Sequence, residues 1–279
     1  MTGRVCVVTG ATRGIGRATV EGLAVRGASV VLIARRSEDG MKVSREIARA
    51  GGATPDVVSA DLSSQASIQH AAAELKQRHP RLHVLINNAG IITRDRELTV
   101  DGIEKQFAVN HLAYFLLSNL LLDQLLAGAP SRIINVSSGA HAGATLDFDD
   151  LQGERGYNAS KAYGQSKLAN ILFTYELARR LHGTGVTVNC LHPGVIGTKL
   201  LADYMGVPVA GGALASTFGA SPEQGADTII FLASSAEVEG VSGKYFERRR
   251  PRRSSMESYD EAAARRLWQL SEQLTGLSS

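Results

Sequence analysis

The sequence predicts an α/β fold, a parallel sheet covered by helices on both faces. Three observations lead there. Short β-branched runs alternate with segments of helical spacing from the first residues onward. The runs are apolar at consecutive positions, as in strands buried on both faces, and a helix-covered parallel sheet is the arrangement that buries them so. Glycine, at 29 of 279 residues, exceeds the usual share of about 7%, which points to loops whose backbone conformation matters.

Composition agrees with a globular chain. Apolar residues make up 44% and charged residues 20%, enough to bury a large core. With 30 Lys and Arg against 27 Asp and Glu, the formal net charge of +3 excludes a disordered polyelectrolyte and gives no reason to expect a nucleic-acid partner. The seven histidines show no metal-ligand spacing, and the two cysteines, Cys6 and Cys190, sit in strand-like runs. Neither a disulfide framework nor a metal site follows, and a reducing compartment, the cytoplasm, is the expectation. The first apolar run, Val5 to Val8, meets a glycine loop by Gly10, so no signal-peptide core fits. The long apolar stretch Leu112 to Leu126 contains Ser118, Asn119, Asp123 and Gln124, which a transmembrane helix would not tolerate.

In chain order, strands are expected at Arg4 to Thr9, Ser29 to Ala34, Asp56 to Ala60, Leu82 to Asn87, Arg132 to Ser137 and Val186 to Leu191. Helical spacing links them, as where Ile103, Phe107 and Tyr114 lead into a leucine-rich stretch. Two regions break the rhythm: Gly194 to Gly219, rich in Gly and Ala, and Glu247 to Ser258, with a basic run Arg248 to Arg253 read as a solvated loop. Helical spacing returns from Glu261 to Leu274, where Leu267, Trp268, Leu270 and Leu274 form a packing stripe. One domain is expected over residues 1–279, with a loop at 194–220 and a C-terminal extension at 247–279.

The first strand ends in Thr9-Gly10-Ala11-Thr12-Arg13-Gly14-Ile15-Gly16, followed by a helical segment. A turn this tight needs residues without Cβ, and the helix start behind it offers free N–H groups to a pyrophosphate. Gly10, Thr12, Arg13, Gly14, Ile15 and Gly16 are therefore expected to hold a dinucleotide. An NAD site places an acid about 20 residues beyond the glycines. Here the second strand ends Ile33-Ala34-Arg35-Arg36 instead, and with Arg13 these guanidinium groups suit the 2′-phosphate of NADP.

The chain resembles the short-chain dehydrogenases/reductases over nearly its whole length, through residues 9–16, Asp61-Leu62, Asn87-Asn88-Ala89-Gly90, Asn110, Ser137-Ser138, a Tyr-x-x-x-Lys pair and Pro193-Gly194 with Thr198. Within that family it is similar to the retinol dehydrogenase-like branch, through Val109-Asn110-His111-Leu112, Phe148 to Leu151, Ser166 to Leu172, Ser242 to Phe246 and Arg265 to Trp268. Many animal members of that branch begin with a hydrophobic anchor, and this sequence opens on the first strand, so retinoid activity is not carried over. The resemblance implies a doubly wound Rossmann-type sheet of about seven strands in the order 3-2-1-4-5-6-7. It implies that Asp61 bonds the adenine amine with Leu62 beside it, and that Asn88, Ala89 and Gly90 line the adenosine ribose side. It further implies that Pro193, Gly194 and Thr198 belong to the cofactor site, and that Asn110 holds a water linking the catalytic lysine to solvent.

Carbonyl reduction needs a proton donor at the oxygen, and a phenol with a pKa of about 10 serves near neutrality only beside a cation. A lysine four residues on lies one helical turn along on the same face. Two pairs qualify, Tyr157 with Lys161 and Tyr163 with Lys167. The second is preferred: Leu168, Ile171, Leu172 and Tyr175 continue its helical face, whereas Tyr157 follows Gly153 and Gly156 in loop-like sequence. Tyr163 and Lys167 are also taken to touch the cofactor. Ser138 is assigned to the substrate oxygen in preference to Ser137 from the family pattern, and His141 reads as a strand-end cap or a substrate contact.

The expectation is an NADP-dependent oxidoreductase interconverting an alcohol and an aldehyde or ketone, the rival being a non-catalytic NADP-binding regulator. The segment Val195 to Phe218 carries only Lys199 and Asp203 as charges, so a mainly apolar substrate is expected under a loop hinged at Gly206, Gly211 and Gly212. Helices 110–126 and 163–177 hold more apolar residues than one buried stripe requires, which leads to the expectation of a homodimer through them.

Overall fold

The computed structural model describes residues 1–196 and 220–277. Thr198 and most of the apolar segment 195–218 lie outside the described residues. The elements run β1 (Val5–Thr9), α1 (Gly14–Val25), β2 (Ser29–Ala34), α2 (Ser37–Arg49), β3 (Asp56–Ser59), α3 (Gln65–Arg78) and β4 (Val84–Asn87). They continue with α4 (Lys105–Phe107), a π-helical turn (Ala108–Leu112), α5 (Ala113–Leu120), α6 (Leu122–Ala127), β5 (Ser131–Val136), α7 (Ala159–Arg180) and β6 (Val186–His192). After residues 197–219 come α8 (Pro222–Ser234), β7 (Lys244–Glu247), β8 (Arg250–Arg252) and α9 (Glu261–Thr275).

One sheet carries all eight strands in the order β3-β2-β1-β4-β5-β6-β7-β8. The first seven pair in parallel, as their consecutive apolar residues require. In β1, Val7 faces one core with Leu75, Phe115 and Phe173, while Cys6 and Val8 face the other with Val20, Leu23 and Ile229. Both faces of that strand are fully buried. The order reverses between β1 and β4, which opens a crevice at the carboxyl ends of these strands.

The basic run is not the solvated loop its composition suggests. Arg250–Arg252 forms β8, antiparallel to β7, with Glu247 opposite Arg250 and Tyr245 opposite Arg252. The two-residue turn between them holds Arg248 and Arg249 at φ of 47° and 62°, the left-handed region that a tight hairpin turn demands and that usually selects Asn or Gly. Arg249 is fixed there by an ion pair to Asp227 and by its amide donating to Thr228 Oγ1 at 3.1 Å.

Helix α9 packs on the apolar face that the helices at 110–126 and 163–177 share. Trp268 meets Phe115 edge-on at 4.9 Å between ring centroids and stacks on Phe173 at 5.9 Å. The Arg180 guanidinium lies over the Trp268 ring, 4.0 Å from its centroid. Asp260 caps the helix start, and Gly276, at φ 65°, ends it. Trp268→Ala is expected to cost about 3–5 kcal/mol, read as a lower urea midpoint at constant m. A midpoint equal to the parent's would mean that α9 does not stay docked.

Candidate active site

The loop between β1 and α1 is shaped by close approaches. Gly10 and Gly14 take φ of 64° and 54°. A Cβ on Gly10 would stand 2.7 Å from Ala89 Cα, and one on Gly16 would overlap the Gly10 carbonyl. Thr9 Oγ1 accepts the amides of Asn88 and Ala89 at 2.9 and 3.0 Å, while Asn88 Nδ2 donates to the carbonyls of Thr9 and Gly10. The loop after β4, residues Asn88 to Gly90, is thus stitched to the glycine turn. Thr12 is half-buried in that turn, and Ile15, on the first turn of α1, packs on the neighbouring core. Helix α1 has no side-chain cap and no acid in its first turn, so its amide end is open to an anion.

Arg13, at the start of α1, and Arg35 and Arg36, just beyond β2, are exposed. Arg36 is engaged by Asp39 through two bonds of 2.8 and 2.9 Å. Neither Arg13 nor Arg35 is ion-paired among the described residues, and Ser59 Oγ donates to the Arg35 carbonyl at 3.3 Å. Asp61 follows β3. Burial works against its charge, but the Ser63 amide and hydroxyl, at 2.9 and 2.7 Å, and the field of Arg35 hold its carboxyl below the ordinary value. Leu62 packs beside it on the core.

Tyr163 and Lys167 lie one turn apart on α7, both buried. Lys167 Nζ is 5.6 Å from the centre of the Tyr163 ring and donates to the Val136 carbonyl at 3.2 Å. Gly90 closes over it, since a Cβ there would be 3.3 Å from Nζ and 3.6 Å from Asn110 Oδ1. Burial pulls the Lys167 pKa down to about 7. Asn110 belongs to the π-helical turn, where its side chain accepts the Ile91 amide at 2.8 Å and donates to the Ile91 carbonyl and to Ser166 Oγ, each at 3.0 Å.

The two serines differ in their engagements. Ser137 Oγ donates to the Lys167 carbonyl at 2.8 Å and is buried in that bond. Ser138 Oγ accepts the Ala140 amide at 3.2 Å, an arrangement that leaves its own proton for another acceptor. Pro193 and Gly194 follow β6, with Gly194 at φ 97°.

Tyr157 lies before the first turn of α7, which is capped by Asn158 Oδ1 accepting the Lys161 amide at 2.9 Å. Its hydroxyl accepts from Gln106 Nε2 at 2.6 Å, donates to buried Glu104 at 3.0 Å and touches Thr93 Oγ1 at 3.0 Å. Lys161 points instead to Asp147, 3.5 Å away. The structure does not bring Tyr157 and Lys161 together, whereas Tyr163, Lys167, Asn110 and Gly90 share one small volume.

Tyr114 and His192 border this volume without a functional signal in the sequence, and His141 joins them. Tyr114 is fully buried, donates to the Ala89 carbonyl at 2.7 Å and sets its ring 5.8 Å from Lys167 Nζ. His141 and His192 bond the backbone around Ser138. His141 is therefore tied to the protein itself.

Residues 4–205 match the family described as short chain dehydrogenase. Retinol dehydrogenase 14 of Mus musculus is 45% identical over 292 residues, spanning 99% of this chain and 87% of its own length. Retinol dehydrogenase 13 of Homo sapiens is 45% identical over 289 residues, with shares of 99% and 86%. Among solved structures, an uncharacterized protein from Mycobacterium paratuberculosis aligns at a TM-score of 0.82 and 34% identity over 99% of this chain and 94% of its own. A metagenomic short-chain oxidoreductase in complex with NADP aligns at 0.67 and 29% identity, covering 88% and 96%. No helix among the described residues is long and apolar enough to cross a membrane.

Proposed function

The chain belongs to the short-chain dehydrogenase family, in the branch of the retinol dehydrogenases, and on that footing we propose an NADP-dependent oxidoreductase. It interconverts an alcohol and an aldehyde or ketone as one dinucleotide-binding catalytic domain over residues 1–279. Lys167 carries the proposal: a buried ammonium beside a buried phenol serves proton transfer, and a nucleotide-binding regulator has no use for it.

The residues fit the cofactor. The Gly10 and Gly16 cradle, which a Cβ would fill, and the uncapped start of α1 suit a pyrophosphate, and Gly90 leaves room above Lys167. Bound there, the nicotinamide supplies or accepts the hydride. In the reduction direction Tyr163 donates its phenolic proton to the substrate oxygen, and Lys167 steadies the phenolate left behind. Ser138 donates to the same oxygen and favours the developing alkoxide. Asn110 anchors Ile91 and holds the water that returns a proton to Lys167.

Cofactor preference rests on Arg35, with Arg13 and Arg36 beside it. A hydrogen bond to a charged group contributes about 1.5–3 kcal/mol, so Arg35→Ala is expected to weaken NADPH binding roughly tenfold to a hundredfold and leave NADH unchanged. Arg36→Ala loses less, because Asp39 already engages that side chain. Equal dissociation constants for NADPH and NADH in the parent would overturn the preference.

The substrate is mainly apolar, as the composition from Val195 to Phe218 supports. Burial of alkyl surface contributes about 25 cal/mol per Å², so kcat/KM is expected to rise along a series of aldehydes of growing chain length. A flat series, or preference for polyhydroxylated or charged carbonyls, would remove the apolar reading. Free, buried Cys6 and Cys190 support a reducing compartment, the cytoplasm.

A further inference from the structure

Ser138 is flanked by two imidazoles that the reaction described above does not use. The backbone ladder between β5 and β6 reaches Ser137, whose amide donates to the Leu191 carbonyl at 2.8 Å. Two residues further on, the Gly139 amide donates to His192 Nδ1 at 3.1 Å, so the imidazole prolongs the ladder past the last backbone partner. The ring sits tight against Gly139, where a Cβ would be 3.3 Å from Nε2. On the other side, buried His141 accepts the Ser255 amide at Nε2, 3.2 Å away. Its proton is therefore on Nδ1, which lies 2.6 Å from the Ser138 carbonyl oxygen and donates to it.

We propose that His192 and His141, both as neutral imidazoles, are positioning residues that hold the Ser138 hydroxyl at the reacting oxygen, and that His192 sets the acid limit of carbonyl reduction. This rests on the functional reading above. A neutral imidazole offers one donor and one acceptor, and protonation turns the Nδ1 acceptor of His192 into a donor facing the Gly139 N–H. The Ser138–Gly139 peptide then loses its hold, and displacement of a catalytic group by about 1 Å costs on the order of a hundredfold in rate.

The charged and titratable groups facing His192 are Glu247 at the end of β7 and His141 in the turn after β5. Glu247 also accepts the Tyr245 hydroxyl at 3.1 Å. Burial pulls the His192 pKa below its ordinary value, and the carboxylate of Glu247 opposes this. In the reduction direction Tyr163 and Lys167 both act in their protonated forms, so acidification removes neither. An acid limb in kcat must come from another group.

The test is kcat against pH for NADPH-dependent reduction of an aldehyde by the full chain, at saturating cofactor, in the parent, His192→Leu and His192→Asn. The parent is expected to lose activity on acidification below the ordinary histidine range. His192→Leu lowers kcat by roughly 10–100-fold at every pH with the NADPH dissociation constant unchanged. His192→Asn, whose amide oxygen stands in for Nδ1 and does not titrate, recovers most of that loss and has no acid limb. Parent-like kcat in His192→Leu, or a parent-like acid limb in His192→Asn, overturns the proposal. If His192→Leu does not fold, the His192→Asn profile alone decides. A parent that binds NADPH and reduces no carbonyl sinks the functional reading, and this proposal with it.

Discussion

Tyr163→Phe is expected to lower kcat for carbonyl reduction by about 10²–10⁴-fold, the usual contribution of a positioned general acid, with NADPH binding unchanged. The ring and its packing beside Lys167 persist, and only the proton is lost. Tyr157→Phe is the control, since it also removes a phenol with a lysine four residues on. Its hydroxyl joins Gln106, Glu104 and Thr93, away from Lys167, so turnover should hold. Stability should fall by about 1–3 kcal/mol, because buried Glu104 and Gln106 each lose a partner. The reverse pattern would move the catalytic helix register to Tyr157 and Lys161.

Lys167 provides the second large effect, with a pH signature. The ammonium must be charged to steady a phenolate, yet burial favours the neutral amine and brings its pKa down to about 7. The sign follows directly: the working form is present below that pH and is lost as pH rises through it. The reduction rate is therefore expected to decline on the alkaline side of about 7. Lys167→Met should lower kcat by about 10²-fold or more and abolish this limb. Lys167→Arg, a cation that does not titrate in proteins, should keep part of the rate while the alkaline limb moves to higher pH. An unchanged limb in Lys167→Arg would assign the titration to another group.

The parallel sheet was legible because its strands are apolar at consecutive residues, as in Val5 to Val8 and Val30 to Ile33, and few architectures bury both faces of a strand. The glycine turn was legible for a related reason. At Gly10 and Gly16 no other residue fits, so the backbone's constraint is written in the residue type. β8 was hidden because Arg248 and Arg249 occupy left-handed positions usually marked by Asn or Gly, held by contacts to Asp227 and Thr228 some twenty residues away in sequence. The π-helical turn was hidden because five residues at nearly helical spacing carry no periodic mark of a widened turn.

Long-range bonds explain the remaining misses. The Gly139 partner of His192 lies 53 residues away in sequence, so the place of His192 beside Ser138 exists only in the folded chain, and local His141 is fixed by Ser255, 114 residues away. The surplus apolar residues on α5 and α7 were read correctly as needing cover, and Trp268 was read correctly as packing. That the one covers the other is a tertiary fact, set by the path of residues 253–260 back across α7.

The central claim is proton-coupled hydride chemistry at Tyr163 and Lys167, and its most direct test follows NADPH absorbance with a medium-chain aldehyde for the parent and Tyr163→Phe, alongside NADPH binding for both. The account predicts that both proteins bind NADPH with the same affinity and that only the parent consumes it. Consumption at the parental rate by Tyr163→Phe, or tight NADPH binding by a parent that reduces no carbonyl and oxidises no alcohol, would contradict it.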